Sequence, residues 1–194
     1  YCINPECLAK KIKSFTHFVS RDAMNIEGLS EATIEKLIAQ GMIKELADLF
    51  HVERYKEIIT NMEGFGEKSY TNLIDSINRA RHTNLAKFIY SLGIPNVGLS
   101  NAKLICKAYK NDFEAIRNAT PDSLVDIQGI GDVIAETFVK FFRKDENRKI
   151  VNDLLAEVQF EEETVDESQM IFENMNFVIT GSVVHFANRN EVKA

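Results

Sequence analysis

The sequence has 194 residues and a formal net charge of −6. Apolar residues make up 45% of it and charged residues 27%, with 9 glycines and 3 prolines, which is typical of a chain that folds around a core and not of a disordered or fibrous one. Its longest apolar runs are three residues long, whereas a bilayer span needs roughly 18, so no membrane-spanning segment is predicted.

The cysteine count indicates the redox setting of the chain. Three cysteines are an odd number for a disulfide framework. The sequence also lacks the basic segment followed by an apolar segment that is typical of a secretory leader. A reducing, cytoplasmic setting is therefore expected. The chain opens at Tyr1 and stops at Ala194 in the middle of a polar and apolar pattern, so we expect a fragment of a longer protein.

The negative charge is concentrated at the C-terminal end. Residues 1–152 hold 21 Lys/Arg and 20 Asp/Glu, whereas residues 153–194 hold 2 and 9. Residues 76–111, the acid-free stretch, contain no Asp or Glu. This stretch predicts a surface for an anionic partner, with an ordinary solvated face as the alternative. Its six basic residues are Arg79, Arg81, Lys87, Lys103, Lys107 and Lys110.

Four motifs repeat along the chain, each made of a glycine, an apolar residue and a second small residue. We number them 1 to 4, and their lead glycines are 36, 34 and 31 residues apart. Counted from the second small residue, positions +4, +7 and +8 are apolar in eleven of twelve cases, Lys107 being the exception. Because that spacing lines one face of a helix, each motif is predicted to begin a helix. The motifs are Gly28-Leu29-Ser30, Gly64-Phe65-Gly66, Gly98-Leu99-Ser100 and Gly129-Ile130-Gly131.

A second helical pattern precedes the motifs, as in 43–50, 85–92 and 113–119. Thr120 and Pro121 predict a helix start, with threonine as the N-cap and proline at the first helical position. No strand pattern occurs before about residue 177. The sequence therefore predicts a mainly α fold, in which a unit of helix, tight hairpin and helix is repeated four times and arranged as two pseudo-symmetric pairs.

Such hairpins have the chemistry of an anion site. Glycine adopts positive φ or lets a ligand approach closely, and the first N–H groups of a helix lack internal partners at the positive end of its dipole. A single motif would be interpreted as an ordinary helix cap, but four copies at similar spacing favour phosphate binding. Motif 3 lies in the acid-free stretch, with Lys103 one turn into its helix.

The four motifs differ in the residue that follows them. Glu31, Glu67 and Asp132 follow motifs 1, 2 and 4, whereas Asn101 follows motif 3. An acid in the first helical turn stabilises the helix dipole with or without a ligand, but it repels a nearby phosphate. We therefore expect motif 3 to bind most strongly, followed by motif 2, which has Lys68 and Ser69, then motif 4 and motif 1.

These residues resemble the helix-hairpin-helix family, whose members bind DNA without reading its sequence. More specifically, four segments resemble the C-terminal half of a bacterial NAD-dependent DNA ligase. These segments are Cys2–Cys7, His17–Leu29, Glu63–Ser69 and Leu92–Gly98. The resemblance implies the second half of a zinc finger at 1–22, a four-repeat helix-hairpin-helix domain at 23–155, an acidic linker at 156–174, and the start of a truncated BRCT domain at 175–194.

The resemblance also implies a function. This module would bind the DNA backbone for an enzyme that seals nicks in duplex DNA during replication and repair, in the bacterial cytoplasm and at the nucleoid. In that family the adenylation lysine and the residues that bind NAD lie upstream of this segment. The fragment alone is therefore expected to be non-catalytic. NAD and magnesium are expected to be cofactors of the parent protein and not to bind to this fragment. Its expected partners are nicked duplex DNA and the upstream ligase domains. The implied DNA-binding residues are Gly28, Ser30, Gly64, Gly66, Lys68, Ser69, Gly98, Ser100, Lys103, Gly129 and Gly131.

The resemblance assigns Cys2 and Cys7 to half of a zinc site, with two free thiols as the alternative. A structural zinc ion needs four ligands, and the resemblance places the other two cysteines upstream of this chain. Cys106 lies in an apolar helical face and is interpreted as a packing residue. The four histidines, at positions 17, 51, 82 and 185, show no metal-ligand spacing.

The C-terminal segment changes in composition. Residues 153–173 carry eight acids and no Lys or Arg, which indicates a flexible linker that DNA would repel. Residues 176–181 resemble the first strand and turn of a BRCT domain, and 188–194 its first helix. Because so little of that domain is present, its usual pocket at Thr180 and Gly181 is not expected to work.

Two other functions use this kind of module. A base-excision glycosylase, or a nuclease accessory, would also contain helix-hairpin-helix elements, and a glycosylase needs a catalytic aspartate downstream of its hairpin. Asp145 is the one aspartate in a suitable position, although residues 143–146 have the pattern of a solvated helix end. A protein-interaction scaffold is the third alternative, and it predicts no salt-sensitive affinity for DNA.

Overall fold

The structure of the chain, a computed structural model, describes residues 8–161. Three predictions concern residues outside that range: the zinc half-site at Cys2 and Cys7, most of the linker, and the partial BRCT domain at 175–194.

Helices make up most of residues 8–161, which confirms the predicted mainly α fold. A 3₁₀ segment, Leu46–Tyr55, contains a break at His51, whose φ of −126° is not helical. The α-helices are α1 (Leu8–Val19), α2 (Glu31–Ala39), α3 (Lys56–Thr60), α4 (Glu67–Ala80), α5 (Leu85–Ser91), α6 (Leu99–Ala108), α7 (Phe113–Arg117), α8 (Pro121–Val125), α9 (Asp132–Arg143) and α10 (Asp145–Leu155).

Side-chain caps determine where three of the shorter helices begin. Asn84, Asp112 and Thr120 each accept a hydrogen bond from a backbone N–H in the first turn of α5, α7 and α8, at 2.9, 3.0 and 3.3 Å. Each such cap stabilises its helix by about 1 kcal/mol. Pro121 is the first residue of α8, so the predicted start at Thr120 and Pro121 is confirmed.

One continuous apolar core runs through the described residues. Phe18 and Phe50 contribute to it from the N-terminal half, and Phe88 and Phe138 from the C-terminal half; all four are fully buried. Burial of a phenylalanine side chain contributes roughly 1.5–3 kcal/mol to the free energy of folding. Both halves of the chain are therefore stabilised by the core that they share.

A short parallel sheet links two distant parts of the chain. His82–Thr83 (β1) pairs with Gln159–Phe160 (β2), residue 82 opposite 159 and 83 opposite 160. The sequence has no strand pattern before about residue 177, so this strand pair was not predicted. Two-residue strands are too short to show the alternation of apolar and polar residues that identifies a strand in a sequence.

The helical unit also extends beyond residue 155, where the sequence analysis ended it. Val158 is buried, and residues 157–161 bond to the helical unit through Glu157, Gln159 and Glu161. The first residues of the predicted linker 156–174 are therefore part of the fold. The acidic composition indicated solvent exposure, but Glu157 pairs with Arg81.

Candidate nucleic-acid interface

The turns of motifs 1, 2 and 4 have the predicted glycine geometry. Gly28, Gly64 and Gly129 adopt φ values of +90°, +83° and +97°, in the left-handed region that favours glycine. In each case the helix begins three residues after the lead glycine, at Glu31 for motif 1, Glu67 for motif 2 and Asp132 for motif 4. The lead glycines therefore make the sharp turn that the sequence analysis expected.

Motif 3 is shifted by two residues from its predicted position. The left-handed residue is Asn96, with φ of +65°, and Gly98 is the N-cap of α6, with φ of −81°. Asparagine tolerates this region better than most residues other than glycine. The third hairpin turn is therefore Asn96-Val97-Gly98, and Ser100 lies in the first turn of the helix.

The helix of motif 3 confirms this corrected register. Positions +4, +7 and +8 from Gly98 are Ala102, Ile105 and Cys106, which are all buried. The residues that the earlier register assigned to the apolar face, 104, 107 and 108, are exposed. The signal was present in the sequence, because in the corrected register all twelve of these positions are apolar.

The hairpins associate as the predicted two pairs. A Cβ placed on Gly28 would lie 3.6 Å from Leu73 in α4, the helix of motif 2, and the N–H of Glu27 donates to Ser76 Oγ of α4 at 2.8 Å. A Cβ placed on Gly129 would lie 3.1 Å from Leu104 in α6, the helix of motif 3. Motifs 1 and 2 thus form the first hairpin pair, and motifs 3 and 4 the second.

Three of the four hairpins leave backbone donors without a side-chain cap. Gly66, Gly98 and Gly131 are the N-caps of α4, α6 and α9, and none supplies a cap. In motif 1, Ser30 Oγ accepts the N–H of Thr33 at 3.1 Å. Motif 1 therefore has fewer N–H groups available to an anion, which agrees with its last place in the predicted order.

The predicted contact residues are all accessible. Each of the eleven is exposed, so a backbone as bulky as that of DNA can reach them. Between motifs 1 and 2 lies an open cleft of about 560 Å³, whose lining includes Gly28, Ser30, Lys36 and Gly64. Its lining contains one basic side chain, Lys36, and one acidic side chain, Glu63.

The acid that follows motif 2 is partly neutralised. Lys56 Nζ lies 3.2 Å from the Glu67 carboxylate, and the same ammonium group lies 5.5 Å from the centre of the Tyr70 ring. Glu31 and Asp132 have no such partner among residues 8–161. Lys56 lies outside motif 2 in the sequence, eight residues before Gly64, but it contacts Glu67 in the fold.

The basic residues of the acid-free stretch lie in different surroundings. Arg81 is half-buried and pairs with Glu157 at 2.6 Å, so its charge is already used within the fold. Arg79 and Lys87 line a separate cavity of about 220 Å³ together with His82 and Glu161. Lys103 remains exposed on α6 near motif 3, which is where the sequence analysis placed it.

Two histidines and Cys106 have structural roles. His17 Nε2 lies 2.7 Å from the Tyr90 carbonyl oxygen, and His51 Nε2 lies 2.7 Å from the Glu157 carboxylate. Cys106 is buried in the apolar face of α6, as predicted. Within residues 8–161 no group of three or more histidine, cysteine or acidic side chains is arranged to hold a metal ion.

Burial alone would raise the pKa of the Glu157 carboxyl, but hydrogen bonds from Arg81 and His51 outweigh burial and hold that pKa below its usual value. Glu157 is therefore ionised at neutral pH.

The aspartate that a glycosylase would need has no suitable environment. Asp145 is at the start of α10, where its side chain is 97% exposed and lies 3.6 Å from Arg148. An exposed ion pair of this kind is typical of a solvated helix end and does not activate a carboxylate. In the part of the chain that the structure describes, no helix is long and apolar enough to cross a bilayer.

Two family models match the chain. Residues 20–79 match a SAM-like helix-hairpin-helix tandem, and residues 87–151 match a helix-hairpin-helix motif. The two matched ranges correspond to the two hairpin pairs. The chain thus carries helix-hairpin-helix elements in both halves of the described unit.

Proteins named DNA ligase are similar to the whole chain. It is 67% identical over 193 residues to one from Lachnoclostridium phytofermentans and 62% identical over 193 residues to one from Ruminiclostridium cellulolyticum, with 100% of the chain covered in both. A DNA ligase from Fusobacterium nucleatum is 36% identical over 197 residues, covering 99% of the chain. The chain spans 30%, 29% and 28% of the lengths of these three relatives.

Proposed function

We propose that this chain, which belongs to the DNA ligase family as its helix-hairpin-helix segment, binds the sugar-phosphate backbone of duplex DNA without reading the base sequence. The observation that carries the proposal is the set of four exposed hairpins, three of which begin a helix with no side-chain cap. N–H groups of this kind bind phosphate oxygens and carry no information about the bases.

Motifs 2, 3 and 4, whose helices have a glycine as the N-cap, contribute to binding in the same way. The phosphate approaches the glycine at the N-cap, where no side chain intervenes, and accepts hydrogen bonds from the N–H groups of the first helical turn. In motif 3 these donors are Leu99, Ser100 and Asn101. Lys103, about 3–6 Å beyond these donors along the helix axis, adds a positive charge.

The order of the hairpins follows from their charges. Motif 3 has no acid in its first turn, and motif 2 has an acid that Lys56 offsets. Asp132 of motif 4 and Glu31 of motif 1 are unpaired within the described residues, and motif 1 also has its Ser30 cap. Motifs 3 and 2 therefore supply most of the affinity, one from each hairpin pair.

The similarity to proteins named DNA ligase supports a role for this segment within a longer protein. We assign this segment to an NAD-dependent, nick-sealing ligase, in which it holds nicked duplex DNA while other domains use NAD and magnesium, in replication and repair at the bacterial nucleoid. The segment itself supplies no catalytic group, so it should not seal nicks by itself when NAD and magnesium are added. The zinc half-site at Cys2 and Cys7 remains a prediction.

Fluorescence anisotropy with labelled nicked duplexes of two unrelated sequences tests the proposal. The two dissociation constants should agree, and log K should fall with log salt with a slope of about −3 to −5, since each neutralised phosphate contributes roughly −0.9. A strong preference for one sequence would contradict backbone recognition. Absence of any salt-sensitive affinity would favour the protein-interaction scaffold.

A further inference from the structure

The chain returns to the junction between the two hairpin pairs after its last helix. Residues 157–161, which we call the C-terminal clasp, follow α10 and pass alongside β1, at residues 82–83. β1 belongs to the connection between α4, the last helix of the first hairpin pair, and α5, which leads into the second. The clasp therefore contacts the covalent link between the two pairs.

The clasp bonds to the first half through its acid. The Glu157 carboxylate accepts a hydrogen bond from Arg81 at 2.6 Å and lies 2.7 Å from His51 Nε2. Arg81 also donates to the carbonyl oxygen of Phe50 at 2.6 Å, with its guanidinium 5.2 Å from the centre of that ring. The Glu157 side chain is only 14% exposed, whereas those of Arg81 and His51 are 31% and 38% exposed, so the pairing is partly shielded from solvent on the Glu157 side.

The clasp packs on the second half through its aromatic residue. The Phe160 ring lies 5.1 Å from that of Phe88 in α5 and 6.0 Å from that of Phe113 in α7. Backbone hydrogen bonds from Gln159 to Arg81 at 2.7 Å and from Glu161 to Thr83 at 2.9 Å complete the strand pairing. One short segment thus contacts residues from both hairpin pairs.

We propose that the clasp fixes the relative orientation of the two hairpin pairs so that both bind one duplex at the same time, with Glu157 and Phe160 as positioning residues. This inference rests on the proposed function. Two linked sites gain affinity because the second contact becomes intramolecular, and the gain depends on geometry that lets both engage. A pre-formed orientation also avoids the entropy of ordering the pairs on DNA.

Duplex length separates binding by one pair from binding by both. A short duplex of about 6 base pairs, closed at one end by a DNA loop, is about 20 Å long. This is close to the ~21 Å length of a 14-residue helix such as α4, so the short duplex accommodates one hairpin pair of the protein. A duplex of about 16 base pairs, about 54 Å long, exceeds the ~30–40 Å expected for a domain of this size and accommodates both. The 194-residue chain is used throughout, at low salt so that the short duplex binds measurably.

Glu157→Ala and Phe160→Ala should each weaken binding to the long duplex by on the order of tenfold and leave binding to the short duplex unchanged. Phe160→Leu should restore most of the long-duplex affinity. Glu161→Ala is the matched control for Glu157→Ala, because it removes a negative charge from the same segment. Glu161 bonds to Thr83 through its backbone N–H, which alanine retains. It should leave long-duplex binding unchanged or slightly stronger, since an acid has been removed.

Equal losses on both duplexes would indicate general destabilisation and would overturn the clasp. Failure of the wild-type chain to bind the short duplex at all would also overturn it, since each pair must bind on its own. If Glu157→Ala and Phe160→Ala change neither affinity, the clasp is wrong while the DNA-binding function stands. If the wild-type chain binds neither duplex, the proposed function itself fails.

Discussion

Motifs 1 and 3 have the same fold but present different surfaces to an anion. The helices of both bury the same apolar positions, Ile34 and Leu37 in α2 and Ala102 and Ile105 in α6. Their N-termini differ: motif 1 has the Ser30 cap followed by an acid, whereas motif 3 has Gly98 followed by uncharged residues. The positions that make a hairpin fold are thus separate from those that decide how well it binds phosphate, and the repeats need not contribute equally.

The largest expected effect comes from blocking motif 3. Gly98→Leu should weaken DNA binding by about 10- to 100-fold, because the side chain keeps phosphate from N–H donors whose charge-assisted hydrogen bonds are worth about 1.5–3 kcal/mol each. Gly98 has an extended backbone, and a Cβ added there meets nothing within 4 Å, so the fold should tolerate leucine. Anisotropy measures the affinity and circular dichroism checks the fold. An unchanged affinity would remove motif 3 from the interface.

The charge beside motif 3 should have a smaller effect. Lys103→Ala should reduce the salt slope by about one unit, since it removes one phosphate contact, without changing the thermal unfolding midpoint. Lys149 is the matched control, because it is an exposed lysine on α10. That helix follows the C-terminal end of α9, whereas the hairpin of motif 4 lies at the N-terminal end of α9. Equal changes in slope for Lys149→Ala and Lys103→Ala would mean that binding is diffuse electrostatic attraction.

The neutralised acid of motif 2 predicts a modest effect that a double-mutant cycle can isolate. Lys56→Ala should weaken DNA binding about two- to threefold by leaving Glu67 free to repel phosphate, a loss within the range of exposed ion pairs. In a Glu67→Gln background the same substitution should have almost no effect. If Lys56→Ala weakens binding equally in both backgrounds, Lys56 contacts DNA directly and does not act through Glu67.

The smallest effect on DNA is expected at motif 1. Ser30→Ala removes the cap on the Thr33 N–H and should destabilise the chain by about 1 kcal/mol, a fall in Tm of roughly 2–4 °C. DNA affinity should stay within about twofold, because motif 1 is the weakest site. A loss of affinity as large as that from Gly98→Leu would show that the two hairpins are equivalent after all. Calorimetry and anisotropy on the same sample measure both quantities.

The sequence predicted the helices and hairpins because their signals are local. Apolar spacing identified the helical faces, and Thr120 with Pro121 identified the start of α8. The register of motif 3 was predicted incorrectly because a glycine was expected at the lead position, which placed the motif at Gly98, whereas Asn96 is the residue that adopts the left-handed conformation. The sequence contained the correction, since the shifted register removes the one polar residue, Lys107, from the apolar face.

The clasp could not be predicted in the same way. Its contacts join Glu157 to Arg81 and His51, which are far away in the chain, and its strand is two residues long. Local composition indicated the opposite, because an acid near a run of acids usually lies in solvent. The pairing of Lys56 with Glu67 was missed because the fold, and not a helical repeat, brings these residues together.

An NMR titration of the isotopically labelled chain with duplex DNA tests whether hairpin N–H groups bind phosphate. The measured quantity is the change in the chemical shift of each backbone amide. We expect the largest changes at residues 99–101, then at 67–69 and 132–133, with smaller changes at the start of α2 around Glu31. Changes concentrated on α10 or the clasp, with residues 99–101 unaffected, would contradict it.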